Sequence, residues 1–129
     1  STLLASSAAS DVYKRQIGDT ADVENSMISE GSTINGKVDF SVIFSGATVE
    51  EGATVNYSII MPGTVIKSGA VVEYAIVGED CVVHENAKIG LSPETVENRD
   101  EWGIAVVGHN VEISEGAEVL PKQIISKNV

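Results

Sequence analysis

Rings, thiols and positive charge are all scarce in this chain of 129 residues, and each shortage removes a class of protein. Aromatics make up 5% of it, two Phe, three Tyr and one Trp, too few for a globular core built around rings. A single cysteine excludes an internal disulfide and fits a reducing, cytoplasmic setting. Eight Lys and Arg against nineteen Asp and Glu leave a net charge of −11, which disfavours nucleic acids and anionic membranes as partners, since both demand a basic surface. No stretch approaches the roughly 18 apolar residues of a membrane span. The opening LLASSAAS lacks a preceding basic region and has too short an apolar core for a signal peptide.

What the chain does contain is a repeat. Residues 41–57, 58–74 and 75–91 read SVIFSGATVEEGATVNY, SIIMPGTVIKSGAVVEY and AIVGEDCVVHENAKIGL, three copies of one 17-residue unit. Branched aliphatics recur at three places per copy: Ile43, Ile60 and Val77; Val49, Ile66 and Val83; Val55, Val72 and Ile89. A helix would space them by three and four, a lone strand by two. Steps of six, six and five instead fit a chain that makes a short strand, turns a corner and sends one aliphatic per side toward the axis of a triangular coil.

The corners point the same way. Gly46, Gly63 and Asp80 follow the first set by three residues, and Gly52, Gly69 and Asn86 follow the second. These residue types enter positive φ at least cost. The third corner is shorter, hence the step of five. Ala47, Ala53, Ala70, Cys81 and Ala87, just ahead of the aliphatics, suit a narrow interior.

The period extends both ways. Residues 26–40 form a 15-residue copy through Ile28, Gly31, Ile34, Gly36 and Val38, and Ile17 and Val23 supply two sides of a partial coil with Thr20 at its corner. Downstream, a shift of 30 from the third copy lands on Ala105, Val107, Asn110, Ile113, Gly116 and Val119. One repeat of 17 leaves an insertion of 13 near 92–104, a polar, acidic loop with one Trp. The expectation is an all-β, single-stranded parallel β-helix of about five coils, each rising about 4.8 Å. It forms one elongated domain over 17–120, followed by a tail over 121–129, and buries its core by stacking.

Residues 1–16 share no period with the rest. They are either a linker from a preceding domain or foreign sequence, since ASSAASDVYKRQ looks like a translated sequencing adaptor. On both readings the chain is expected to be the C-terminal piece of a longer protein.

Particular segments filling the repeat carry a family resemblance. Ser-Ile-Ile-Met-Pro from Ser58 to Pro62, the alternation of Ser-Val-Ile or Ser-Ile-Ile with a Pro-Gly or Ser-Gly corner, and the Ile-Ala-Val-Val-Gly restart from Ile104 to Gly108 resemble the C-terminal hexapeptide β-helix of bacterial glucose-1-phosphate adenylyltransferase over about 17–120. The resemblance implies a left-handed coil, which periodicity alone cannot give. It also implies a division of labour. Enzymes of this family join glucose 1-phosphate to ATP, with Mg²⁺ shielding the phosphates, in an N-terminal α/β domain absent from these residues. The β-helix packs on that domain, helps build a homo- or hetero-tetramer and contributes to the cleft for phosphorylated effectors. The chain itself is therefore expected to be catalytically silent, without a cofactor or metal of its own.

Candidate residues follow from the register. His84 falls above Lys67 and Glu50, a row that is either a phosphate site for an effector, since Lys and protonated His both donate, or a solvated strip of mixed charge. Trp102 on the polar loop covers either its own coil or a partner subunit or domain. Cys81 is expected to be a buried hydrophobe rather than a nucleophile, and His109 an exposed corner residue. The alternative function is a hexapeptide acyltransferase, with His84 as general base at a subunit boundary, or the β-helix domain of another sugar-nucleotide transferase. A trimeric zinc hydratase on the same fold needs three His ligands per metal, and His84 and His109 do not assemble them.

Overall fold

The structure, a computed structural model, describes residues 16–129; apart from Gln16, the segment read as a linker or foreign sequence lies outside the described residues. The chain winds through eighteen strands of two or three residues each, and consecutive strands belong to different sheets. The first face stacks Gln16–Ile17, Thr33–Ile34, Thr48–Val49, Val65–Ile66, Val82–Val83 and Glu112–Ile113. On the second lie Asp22–Glu24, Lys37–Asp39, Thr54–Asn56, Val71–Glu73, Lys88–Ile89 and Glu118–Val119. The third consists of Met27–Ile28, Val42–Ile43, Ile59–Ile60, Ala75–Val77, Ala105–Val107 and Ile124–Ile125. All pairing is parallel, as a single direction of winding requires.

The register reproduces the repeat. Val65 pairs with Val82 and Val71 with Lys88, both at 17, whereas Ala75 pairs with Ala105 at 30. The extra 13 residues leave the coil between the second and third faces and make two single 3₁₀ turns, Pro93–Thr95 and Arg99–Glu101. Ser92 and Asn98 cap these turns by accepting the backbone N–H of Glu94 and Asp100.

The inward residues are those of the three aliphatic sets. Ile43, Ile60 and Val77, Val49, Ile66 and Val83, and Val55, Val72 and Ile89 are all fully buried. Alternation along each strand sends their neighbours outward. The small residues Ala47, Ala53, Ala70, Cys81 and Ala87 are buried at the corners, and Thr64 and Val111 fill the Ala47 slot on other coils.

Two corners turn as the glycines and Asx residues imply. Gly63 has φ 77° and Asp80 above it φ 53°, while Gly69 and Asn86 have φ 77° and 60°. A Cβ on Gly69 would run into the Asn86 side chain, so glycine at that height leaves room for the amide above it.

The coil has six turns, close to the expected five, and the side that the period does not mark is at the C-terminal end. Gln16–Ile17 pairs with Thr33–Ile34, and Ile124–Ile125 extends the third face into the stretch expected as a tail. Lys122, at φ 71°, takes the corner before that last strand, at the position that Asn25, Phe40, Tyr57 and Tyr74 hold on earlier coils.

Because each interior layer holds only three large side chains, loss of one leaves a void that its neighbours cannot fill. Ile66→Ala is expected to destabilise the chain by about 2–5 kcal/mol. Urea unfolding followed by circular dichroism measures this, and a midpoint equal to that of the parent chain would contradict the packing described.

Candidate functional site

The third corner is built differently from the other two. Phe40, Tyr57 and Tyr74 occupy it at φ 46°, 49° and 47°, a left-handed conformation that aromatic residues rarely adopt. Their rings stack along the axis, Phe40 on Tyr57 with centroids 4.9 Å apart and Tyr57 on Tyr74 at 4.7 Å, within 11° and 8° of parallel. Left-handed backbone costs roughly 1–2 kcal/mol per residue. Stacking returns about 0.5–1.5 kcal/mol per pair, comparable to that cost.

A buried serine ladder completes the offset. Ser26, Ser41 and Ser58 each follow a left-handed residue, and each hydroxyl donates to a carbonyl two residues back, at 2.7, 2.8 and 2.8 Å. The same oxygens accept the backbone N–H one coil on, of Ser41, Ser58 and Ala75, at 3.1, 3.1 and 3.2 Å. Each serine thereby satisfies an N–H that the corner turns away from the sheet.

The insertion ends on the aromatic ladder. The Trp102 ring meets Tyr74 edge to face with centroids 5.6 Å apart, and its indole N–H donates to Leu91 O at 2.7 Å. Of the two places expected for this ring, it lies on its own coil, half-buried. The loop is tied down again where Lys122 Nζ donates to Asp100 O at 2.9 Å.

Glu50, Lys67 and His84 do occupy consecutive coils of the first face, as their backbone N–H bonds to Ile66, Val83 and Ile113 show. Their side chains diverge. Glu50 accepts from the Ser68 backbone N–H and hydroxyl at 3.2 and 3.4 Å. His84 Nε2 lies 2.9 Å from Glu112 Oε1, and Nδ1 lies 3.8 Å from Glu85. The His84 imidazole is thus flanked by the carboxylates of Glu85 and Glu112.

The other two residues are structural. Cys81 Sγ is buried and donates to Gly108 O at 2.9 Å, and burial pushes the thiol above its ordinary range. His109 is exposed at its corner, and its Nδ1 accepts the Glu79 N–H at 2.8 Å. That tie across the insertion joins residues 30 apart and is not visible in the sequence. Among the described residues no three His, Cys, Asp or Glu side chains converge to hold a metal.

A three-sided parallel coil with aliphatic rows inside and Gly or Asx corners is the architecture of the hexapeptide β-helix proteins. The chain belongs to the GlmU-like, C-terminal hexapeptide family, whose model matches residues 8–107. It is 33% identical over 114 residues to a glucose-1-phosphate adenylyltransferase of Desulfitobacterium hafniense, covering 88% of this chain and 28% of that protein. The enzyme of the same name from Bacillus thuringiensis strain Al Hakam is 47% identical over 107 residues, 83% of this chain and 20% of the relative. The chain therefore spans between a fifth and a third of the length of these relatives. Among solved structures, the acetyltransferase domain of PglB from Neisseria gonorrhoeae is 18% identical with a TM-score of 0.45, over 84% of this chain and 52% of that one.

The surroundings of Cys81 yield a direct expectation. At mildly alkaline pH the folded chain should not react with a thiol-specific disulfide reagent, and denaturant should release one thiol per chain. Rapid labelling of the native protein would show that the sulfur is accessible.

Proposed function

We propose that this chain is the assembly and allosteric-regulatory domain of an adenylyltransferase that makes ADP-glucose from ATP and glucose 1-phosphate for glycogen synthesis in the cytoplasm. The observation that carries the reading is the 47% identity to an enzyme of that name, sustained across 83% of the chain. Hexapeptide architecture alone is shared by unrelated transferases, so the identity and not the fold supports the reading.

In this reading the chemistry belongs to a separate nucleotide-binding domain of the same polypeptide. Mg²⁺ acts there, and the described residues of the coil offer no ligand set that fits it. The coil contributes a rigid body whose faces contact that domain and related subunits in a tetramer. Lys67 and His84 are the proposed contacts for a phosphorylated effector. For such a ligand to bind, His84 must leave Glu112, so effector affinity and this ion pair compete. The loop over 92–104, anchored by Trp102 on the coil's third corner, presents its acidic outer side to a neighbouring subunit or domain.

Two experiments test the assignment. Deleting residues 92–103 from the full-length enzyme should reduce its tetrameric mass or blunt its effector response; a deletion variant with both intact would remove the loop from the proposal. The isolated chain should show no pyrophosphorolysis of ADP-glucose in the presence of Mg²⁺. Turnover by it would place the chemistry in the β-helix and overturn the division of labour.

A further inference from the structure

Trp102, Tyr74, Tyr57 and Phe40 form one unbroken column of rings at the third corner, with successive centroids 5.6, 4.7 and 4.9 Å apart. The two lower contacts are face to face and the uppermost is edge to face. Indole and phenol give up one electron to a strong oxidant, whereas the benzene ring of Phe40 does not. The part of the column able to carry an electron vacancy therefore starts at Trp102, half-buried under the insertion, and ends at Tyr57, 48% exposed.

We propose that this column is a path for oxidising equivalents, which carries an electron vacancy from Trp102 through Tyr74 to Tyr57, where a diffusible one-electron reductant fills it. Such a path needs only the rings and their spacing, whatever enzyme the coil belongs to. Distance is the first argument. Electron exchange between rings falls off steeply with the gap, and at these centroid separations neighbouring rings are in or near contact.

Proton handling gives the direction. The Trp102 indole N–H donates to Leu91 O at 2.7 Å, and a backbone carbonyl cannot carry that proton away. The oxidised indole is thus held as the cation, the more oxidising of its two forms. A phenol instead releases its hydroxyl proton as it is oxidised, and Tyr57, about half exposed, can release it to water. Phe40 covers the far face of Tyr57 and stops the vacancy there.

The steps balance. A one-electron oxidant takes an electron from the Trp102 indole and is reduced. The indole recovers it from Tyr74, and Tyr74 from Tyr57, whose hydroxyl proton goes to water. What is left is a neutral tyrosyl radical at Tyr57, to which a soluble thiol returns one electron and one proton, becoming a thiyl radical. Cys81, the one thiol of the chain, is buried at a different corner against Gly108 O and does not intercept the path. The beneficiary is the anchor of the insertion: an indole cation left in place reacts with water and oxygen, its ring opens, and the contact with Tyr74 is lost.

Pulse radiolysis with azide tests the path, since azidyl radicals oxidise indole in preference to phenol. Tyr13→Phe is the background, leaving Tyr57 and Tyr74 as the only phenols. The indolyl absorption should decay as the tyrosyl absorption grows, at one rate that dilution of the protein does not change. Tyr74→Phe keeps a ring in the column but removes the middle carrier, so it should abolish this phase. Under sustained oxidation in air, mass spectrometry should then find Trp102 destroyed faster in Tyr74→Phe than in the background chain. Tyr57→Phe should keep the phase, with the radical on half-buried Tyr74, and slow its repair by added cysteine. Both replacements retain a stacked ring, and melting temperatures near the parent's separate lost transfer from lost fold. A growth rate proportional to protein concentration, or indolyl decay without tyrosyl growth, would overturn the path. Transfer at the parent rate in Tyr74→Phe would overturn the ladder as its route, and undiminished repair in Tyr57→Phe would overturn Tyr57 as its outlet.

Discussion

Hydrogen bonds between successive coils are the constraint on which this structure depends. A strand of two or three residues has no partner within its own coil, since the strands before and after it lie on different faces. Every backbone bond of the sheets therefore reaches a neighbour one repeat away, as Val65 N–H does to Cys81 O and Lys67 N–H to Val83 O, both at 2.9 Å. The spacing of that bond makes equivalent residues stand directly above one another. Side chains are then arranged in rows whether or not they attract, and only sequences in which like stacks well on like can hold the register. Aliphatics do so inside, serines at the buried corner, and rings outside it.

That dependence explains which parts of the fold were legible in the sequence. The inward rows and two glycine corners recur at fixed spacing with little variation in chemistry, so period alone exposed them and located the insertion. The third corner was harder. Phe40, Tyr57 and Tyr74 also recur at 17, but nothing in the residue types announces a positive φ, because the cost of that conformation is offset only by stacking that exists once the coils are assembled. The sixth turn was hidden for a related reason: Lys122 stands at its corner, and its favourable contacts are to the insertion, at Asp100.

At the candidate site the register was readable and the partners were not. Glu50, Lys67 and His84 fall in one row because the backbone places them there, but their side chains are long enough to leave it. Glu112 reaches His84 from a coil displaced by the insertion, a spacing of 28 that belongs to no repeat. His109 behaves similarly, joining Glu79 across 30 residues through a ring nitrogen that accepts its backbone N–H. Trp102 was identifiable as a ring needing cover. That the cover would be Tyr74 follows from where the insertion leaves the coil, directly over the top of the aromatic ladder.

A coil of this kind has almost no interior in which to build a site, and function must be written on its outside. Its core admits one aliphatic per side and its corners are committed to turning, so the outward residues of the three faces are the positions left to vary. Two faces bear the charges that keep an acidic chain apart from its copies. The third excludes them from both its rows over a height of six strands, although uncharged polar side chains such as the threonines Thr33 and Thr48 on the first face would have served the sheet equally well. Holding Met27, Ile59 and Ile124 toward water gains nothing for the fold, whose register is already set by the backbone and by the rows within. An apolar face costs solubility and adds nothing to the register, so its residues are free of the constraint that shapes the rest of the coil.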